Sequence, residues 1–403
     1  MEFSKKKKFP IKTLKNILVV LVIFSAGFLF GQSDFAKQNL YFRSKNKSDS
    51  NLPNNLDYSG VEEVYSKLKD SFDGELTQQK LQDGLKEGLV RAAGDPYTEF
   101  LNAEATKEFE EGLSGSFEGI GAELGKDKES IVIISPISGF PAEKAGIKAK
   151  DIIVEIDGES AADLSVTEAV KKIRGQKGTK VKLTVFREGK TLEFEITRDQ
   201  ITIPSVTTEV TDSGIGIIKI SRFGDDTVQL ATDAAANLKS KNVKGIILDL
   251  RGNPGGLLEG AVGISEIWLS NGDKILQEKR GEEVIKTYFA DGKQILGGVK
   301  TVILIDEGSA SASEIVAGAL KDNNAATIIG TKSYGKGSVQ EVKSLSFGGT
   351  LKVTVARWFT PNGRNIDKEG IEPDQKVEIS EEDAKANRDP QKDAAIQFIQ
   401  KAQ

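Results

Sequence analysis

The chain reads Gly308-Ser309-Ala310-Ser311-Ala312-Ser313-Glu314 between an apolar run, residues 299–305, and a helical pattern, residues 311–321. A strand that passes through a glycine- and serine-rich turn into a helix is typical of the units that build mostly parallel sheets. The first N–H groups of a helix have no partner inside it, so this turn can hold an oxyanion. Ser311 and Glu314 also have capping-box spacing, and closure of the helix end is the alternative interpretation.

The flanking sequence repeats the same pattern and predicts an α/β core over residues 200–378. Strands are expected at 214–220 and 244–250, helices at 227–240 and 257–269, and a hairpin at 339–345 and 350–358 joined at Gly348-Gly349. The residues after the second strand, Gly252 to Gly256, form either an ordinary turn or a source of a second oxyanion donor. The tail, 379–403, is polar and helical and is expected on the surface.

A smaller β-rich unit is predicted over residues 112–199, from short alternating runs separated by glycine turns and one short helix at 167–174. Its first strand carries Gly119-Ile120-Gly121-Ala122-Glu123-Leu124. Successive amides of such a loop can capture a terminal carboxylate while the strand edge pairs with an extended peptide. A tight turn in a small barrel is the alternative.

The N-terminal sequence predicts a membrane anchor. Six lysines precede an uncharged run, residues 16–33, so we expect residues 1–33 to be a basic stub and an uncleaved span with the rest of the chain outside the cytoplasm. A cleaved signal peptide is the alternative. Residues 34–57 are expected to be a flexible tether, and residues 58–111 a helical arm that packs on its own domain or on a partner subunit.

Composition restricts the chemistry. The chain has no histidine and no cysteine, so it builds no Ser-His-Asp triad and no imidazole or thiolate metal site. Its net charge of −5 argues against nucleic acid as a partner. A nucleophilic serine would need a different base.

Lys336, between Gly335 and Gly337, is the candidate base. A solvated lysine is protonated at neutral pH, so burial must lower its pKa before it can accept a proton. The amide oxygen of Gln340 could accept an N–H from the amine and orient it. Four residues of extended strand would separate the two by about 13 Å, so the segment must curl. These considerations do not choose among Ser309, Ser311 and Ser313.

Taken together, the motifs resemble those of the carboxyl-terminal processing (tail-specific) peptidases. The matching stretches are Gly308 to Ile315, Gly335 to Gln340, Leu248 to Gly256, Trp358 to Arg364 and Asp95 to Phe100, with Gly121 to Glu159 similar to that family's PDZ domain. The resemblance implies that Ser311 is the nucleophile, Lys336 the general base and Gln340 its orienting partner. It further implies an oxyanion hole from Ala312 with Gly255, Gly256 being the next candidate, and carboxylate binding by Ile120, Gly121 and Ala122.

The expected protein is a multidomain α/β, membrane-anchored serine endopeptidase without metal or cofactor. Its expected partners are proteins with exposed C-termini, the membrane, and another copy of the chain through the helical arm. Two alternatives stay open: a catalytically inactive PDZ scaffold that binds protein tails, and acyl transfer on a small thioester.

Overall fold

The computed structural model describes residues 57–401, so the predicted anchor and nearly all of the predicted tether lie outside the described residues. No helix within 57–401 has the length and apolar character that crossing a bilayer requires. The chain divides into two compact units, residues 1–78 and 79–403.

The first unit contributes helix α1, Ser59–Ser71. The apolar spacing that predicts this helix is present, and Val61, Val64 and Leu68 all lie on exposed surface. The second unit opens with α2, Gln78–Arg91, whose Leu85 and Leu89 are likewise exposed. The prediction of two helices here is confirmed.

The β-rich unit is built on one antiparallel sheet. Its strand order is β3-β4-β5-β7-β8, with β6 beside β5 and a separate β2–β9 pair. The elements are α3 (Ala103–Ser114), β2 (Ser116–Gly119), β3 (Ala122–Asp127), β4 (Ser130–Pro136), α4 (Pro141–Lys144), β5 (Ile152–Ile156), β6 (Glu159–Ser160), α5 (Val166–Ile173), β7 (Lys180–Arg187), β8 (Lys190–Thr197) and β9 (Asp199–Thr202). A core of its own, including Ile131, Ile156 and Leu183, lies beneath the sheet. The strands expected from the apolar runs at 131–134, 151–156, 181–186 and 192–196 are present as β4, β5, β7 and β8, and the expected helix is present as α5.

The larger region contains a six-stranded mixed sheet, in the order β10-β11-β12-β15-β16-β19. Every pairing in it is parallel except β10 with β11. The elements are β10 (Val206–Val210), β11 (Gly216–Ile220), α6 (Thr227–Ser240), β12 (Ile246–Asp249), α7 (Leu258–Ser265), β15 (Thr301–Ile305), α8 (Ala312–Asp322), β16 (Thr327–Gly330), β19 (Gln375–Lys376), α9 (Glu381–Lys385) and α10 (Pro390–Lys401).

Both faces of this sheet are covered, which explains its continuous apolar runs. Leu248 and Ile303 pack on one face with residues of α6, α7 and α8. Ile247 and Val302 pack on the other with Ala395 and Ile399 of α10. The expectation that the tail is a surface element is therefore wrong for α10, because its sparse apolar residues cover one face of the sheet.

A second, antiparallel sheet joins distant parts of the chain. Its elements are β1 (Glu99–Leu101), β13 (Lys274–Arg280), β14 (Glu283–Phe289), β17 (Ser338–Ser344) and β18 (Thr350–Phe359). β18 pairs with β1, β13 and β17, so the predicted hairpin is confirmed and gains a strand from the N-terminal arm. The multidomain α/β fold is confirmed, but the mostly parallel arrangement applies to one mixed sheet of the core and not to this one.

Candidate active site

Three serines lie at the junction of β15 and α8, and their surroundings differ. Ser309 is fully buried, and its hydroxyl donates to the carbonyl of Leu250 at 2.8 Å. Ser313 is also fully buried, and its hydroxyl donates to the carbonyl of Asn253 at 3.0 Å. Ser311 is partly exposed and its hydroxyl makes no cap hydrogen bond. The structure thus leaves Ser311 as the serine whose hydroxyl is free to react.

The backbone of Ser311 is strained. Its φ of 52° and ψ of −113° lie outside the conformations that non-glycine residues ordinarily adopt, immediately before the first residue of α8. Such outliers cost about 1–3 kcal/mol each and persist where the surroundings hold them in place. Ser311 is the N-cap of α8, where the helix N–H groups without an intrahelical partner begin.

Glu314 is hydrogen-bonded to both segments that carry the candidate site residues. It is 1% exposed, and it makes only one half of a capping box, the bond from the backbone N–H of Ser311. Oε2 accepts the N–H of Ser311 at 2.8 Å and the N–H of Lys336 at 2.9 Å. Oε1 accepts the Ser333 hydroxyl at 2.5 Å and the Gly335 N–H at 2.7 Å. One buried carboxylate therefore ties the start of α8 to the segment that carries the candidate base.

The capping interpretation and the catalytic interpretation are thus compatible. Ser311 does stand at the helix end, as the spacing predicts, but Glu314 spends three of its four hydrogen bonds on residues 333–336. Sequence reasoning treated Glu314 as a capping residue and missed this second contact. A signal for it was absent, because the partner segment lies about 20 residues further along the chain.

Lys336 is held by its backbone and half-buried by its side chain. Its carbonyl accepts the indole N–H of Trp358 at 2.9 Å. Gly335 has a φ of +92°, and a side chain there would meet the backbone N of Gly370 at 2.8 Å, so glycine is required. Burial lowers the pKa of Lys336 below its ordinary value near 10.5, and the nearby positive charge of Lys352 lowers it further. Asp95, Glu314 and Glu99 act in the opposite direction.

The arm segment that follows α2 completes the surroundings of Lys336. Its Nζ lies 5.2 Å from the ring centroid of Tyr97. A ring face at this distance attracts a cation, so Tyr97 favours the ammonium form of Lys336 and opposes the effect of burial. Sequence reasoning singled out residues 95–100 only as part of a resemblance and gave them no role.

Gln340 occupies a bulged position in β17. It lies opposite Thr354, with a register shift between Val339 and Gln340. Its Nε2 donates to the hydroxyl of Ser338 at 2.8 Å and to that of Thr354 at 3.3 Å. The chain between Lys336 and Gln340 is not one regular strand, since β17 begins at Ser338. Among the described residues, no hydrogen bond joins the Lys336 amine to Gln340 or to the Ser311 hydroxyl, so the orienting role of Gln340 stays a prediction.

The glycine loop after β12 lies against Ser311. A side chain on Gly255 would meet the Ser311 Cβ at 2.8 Å and the Ala312 N at 3.0 Å. The N–H of Gly255 donates to Oδ1 of Asn253 at 2.9 Å, whereas Gly256 is exposed. Within 57–401, no backbone acceptor takes the N–H of Ala312 or Gly256. The loop and the helix start thus converge on Ser311, and the free donors are those of Ala312 and Gly256.

The predicted carboxylate-binding loop is fixed in place. The Ile120 and Gly121 carbonyls accept the N–H groups of Ala142 and Ile137, at 2.8 and 2.9 Å. Gly121 has a φ of +75°, and a side chain there would strike Phe140 at 2.5 Å. Ala122 begins β3. The peptide-binding role of these three amides stays a prediction. In the described part of the chain, no group of acidic residues is arranged to hold a metal ion.

Comparisons with known proteins place these features in context. Residues 214–377 match the model of peptidase family S41, and residues 108–186 match the PDZ domain. The chain is 39% identical to the carboxy-terminal processing protease CtpA of Bacillus subtilis, over 92% of this chain and 78% of that protein. It is 37% identical to a probable CtpA-like serine protease of Staphylococcus epidermidis, over 91% of this chain and 76% of that protein. A putative S41 protease structure from Bacteroides fragilis shares the fold with a TM-score of 0.55 at 14% identity, over 79% of this chain and 90% of that one.

Proposed function

Since the chain belongs to peptidase family S41, as a carboxy-terminal processing serine protease that carries a PDZ domain, we propose that it cleaves peptide bonds with Ser311 as nucleophile and Lys336 as general base. The observation that carries the proposal is the Glu314 carboxylate, whose Oε2 accepts the N–H groups of both Ser311 and Lys336. A shared acceptor places the two backbones side by side, which nucleophilic catalysis by a serine and a separate base requires.

The chemistry follows from the charge states of the two side chains. Neutral Lys336 accepts the Ser311 proton as the Ser311 oxygen attacks the scissile carbonyl carbon. The Ala312 N–H and an N–H of the glycine loop hold the oxyanion, and we favour Gly256 over Gly255 because Asn253 already accepts the Gly255 N–H. The ammonium of Lys336 then protonates the leaving amine, which departs and leaves an acyl-serine. A water molecule then gives a proton to Lys336 as its oxygen attacks the ester carbon. The ammonium of Lys336 returns this proton to the Ser311 oxygen as the C–O bond breaks, which releases the carboxylic acid product and restores both residues.

Burial supports a lysine in this role. Lys336 is half-buried, and desolvation by this burial is the main cause of its lowered pKa. A base operates best with a pKa near the working pH, and an ordinary lysine is too basic. The lowered pKa increases the fraction of uncharged amine at any given pH.

The wider function concerns unfolded or tail-exposed proteins. We propose that the PDZ domain binds a substrate's C-terminus through the amides of Ile120, Gly121 and Ala122, and that the enzyme cuts within the chain as an endopeptidase. Membrane attachment outside the cytoplasm is also a proposal, supported by the lysine-rich stub and the uncharged run in residues 1–33. Association of two copies through the helical arm is supported by the exposed apolar faces of α1 and α2.

The test is cleavage of an unfolded protein by the full chain. Wild type, Ser311→Ala and Lys336→Ala are each incubated with fluorescein-labelled β-casein, and fragments are identified by mass spectrometry. We expect both variants to lose cleavage by a factor of about 10³ or more while unfolding at nearly the wild-type temperature. Cleavage by Ser311→Ala at the wild-type rate would refute the proposal, and absence of wild-type cleavage would favour the scaffold alternative.

A further inference from the structure

The arm segment after α2 contacts the strand opposite Gln340 through one carboxylate. Oδ2 of Asp95 accepts the hydroxyls of Thr98 and Thr354, each at 2.6 Å. Burial raises the pKa of Asp95, but the hydrogen bonds from Thr354 and Thr98 outweigh it and hold the pKa below its ordinary value of 3.8. Asp95 is therefore ionised at neutral pH and acts as an acceptor only.

This fixes the direction of the next hydrogen bond. A hydroxyl has one proton, and that of Thr354 is committed to Asp95. The Thr354 oxygen can then only accept from Gln340, so the group of Gln340 that faces it must be the Nε2 amide at 3.3 Å. The second proton of Nε2 goes to the Ser338 hydroxyl at 2.8 Å. Both donor positions of Gln340 are occupied, and Oε1 is the end that stays available.

The orientation of the Gln340 amide determines whether Lys336 can accept a proton. If Oε1 faces Lys336, it accepts an N–H of the amine and leaves the nitrogen lone pair for the Ser311 proton. If Nε2 faced Lys336, it would donate to that lone pair and block the base. A side-chain amide has no intrinsic preference between these orientations, so neighbouring groups must select one.

We propose that Asp95 and Thr354 are positioning residues of the catalytic site, which set the amide of Gln340 so that its oxygen is presented to Lys336. The inference rests on the proposed function of Lys336 as base. It assigns a role to the arm, since Asp95 lies 259 positions before Thr354 and enters the site from a separate part of the chain.

The chain offers a matched pair of variants for the test. Thr354→Val removes the hydroxyl that links Asp95 to Gln340. Thr287→Val makes the same change in another cross-strand pair of this sheet, where the hydroxyl accepts Nε2 of Gln277 at 3.4 Å and takes no part in the hydrogen bonds of Asp95, Thr354 or Gln340. Thr354→Ser restores the hydroxyl without the methyl group. Kinetic constants on fluorescein-labelled β-casein, the pH profile and the unfolding temperature are measured for each full-length variant.

We expect Thr354→Val to lose about tenfold in kcat with KM unchanged, Thr287→Val to stay within about twofold of wild type, and Thr354→Ser to recover most of the loss. The acidic limb of the Thr354→Val profile should stay in place or move to lower pH, because Nε2 beside the amine disfavours the ammonium. Loosened packing would instead admit water and move that limb to higher pH. The other groups that act on Lys336 are unchanged in this variant: Lys352, Asp95, Glu314, Glu99 and Tyr97.

Equal losses in Thr354→Val and Thr287→Val, or a Thr354→Val enzyme with wild-type kcat, overturn the inference while Ser311→Ala and Lys336→Ala remain inactive. Activity in Ser311→Ala overturns the proposed function instead. If Thr354→Val does not fold, Asp95→Ala provides the second variant, because it frees the Thr354 proton and removes the selection of one amide orientation. Wild-type kcat in Asp95→Ala would contradict the inference equally.

Discussion

The proposed nucleophile and the proposed base lie in regions of the molecule that are built in different ways. Ser311 follows β15 of the mixed sheet and begins α8, so its position depends on a strand, a turn and a helix that are consecutive in sequence. Lys336 precedes β17 of the antiparallel sheet, and its surroundings come from β18, from the loop at Gly370 and from the arm. Local sequence therefore determines the nucleophile's geometry, and long-range contacts determine that of the base.

Glu314 is hydrogen-bonded to both regions, through the N–H groups of Ser311 and Lys336. Its replacement is therefore expected to have the largest effect on activity. Glu314→Gln keeps the size of the side chain but turns one of its two acceptor oxygens into a donor that opposes an N–H of Ser311 or Lys336. We expect kcat to fall by about 10²-fold, and the free energy of unfolding to fall by about 2–3 kcal/mol, since hydrogen bonds to a buried charge are lost.

Steady-state kinetics and thermal unfolding measure both effects. Glu369→Gln, the same change at an exposed position on the adjacent loop, serves as the control and should leave both quantities near wild type. If Glu314→Gln retains wild-type kcat, the carboxylate caps the helix and does nothing for the base.

The electrostatics of the base region provide a second test. Lys352 lowers the pKa of Lys336, and its Nζ lies 3.0 Å from Glu99 Oε2. Lys352→Met removes that positive charge and leaves Glu99 unpaired, and both changes favour the ammonium form of Lys336. The pKa of Lys336 should rise, so the neutral amine appears at higher pH and the acidic limb of kcat/KM moves up by about half a pH unit.

The pH profile of cleavage checks this shift. Lys343→Met on the neighbouring strand is the control, because Lys343 pairs with Glu341 and is not among the groups that shift Lys336. A downward shift in Lys352→Met, or equal shifts in both variants, would contradict a lysine base at this position.

The smallest expected effect concerns the strain at Ser311. Ser311→Gly and Ser311→Ala should both be inactive, but glycine adopts a φ of +52° without a Cβ clash. We expect Ser311→Gly to be more stable than Ser311→Ala by about 1 kcal/mol, measured by thermal or denaturant unfolding. The same pair of changes at Ser66, in the interior of helix α1, should give the opposite order because glycine disfavours helix. If alanine were the more stabilising residue at both positions, the backbone of Ser311 would not be strained.

The same contrast explains what the sequence could predict. Helix α6 has the predicted bounds, because its alanine-rich periodicity is a local signal. Helix α7 ends at Ser265 rather than at residue 269, since a buried turn with the same apolar character continues from it. Strands β13 and β14 were not predicted, and the pairing of β1 with β18 joins residues as far apart as Glu99 and Lys352, 253 positions in sequence.

The site shows the same limit. The motifs predicted Ser311, Lys336 and Gln340, but the choice among three serines depends on burial, since Ser309 and Ser313 point their hydroxyls into the protein. Commitment of the Gly255 N–H to Asn253 depends on the shape of a loop that no pattern specifies. Asp95 and Thr354 are 259 positions apart in sequence, so only folding brings them into contact.

The chain has two tryptophans, and one of them is hydrogen-bonded to the backbone of Lys336. Trp358 is 1% exposed and its indole N–H is bonded to the carbonyl of Lys336, while Trp268 is bonded to Thr301 in the core. Indole fluorescence is sensitive to the hydrogen-bond partner of the ring N–H. The fluorescence of Trp358 therefore depends on whether its indole is bonded to the carbonyl of Lys336. Tryptophan fluorescence can therefore follow the position of this segment without an added label and without a change to the side chains of Ser311 or Lys336.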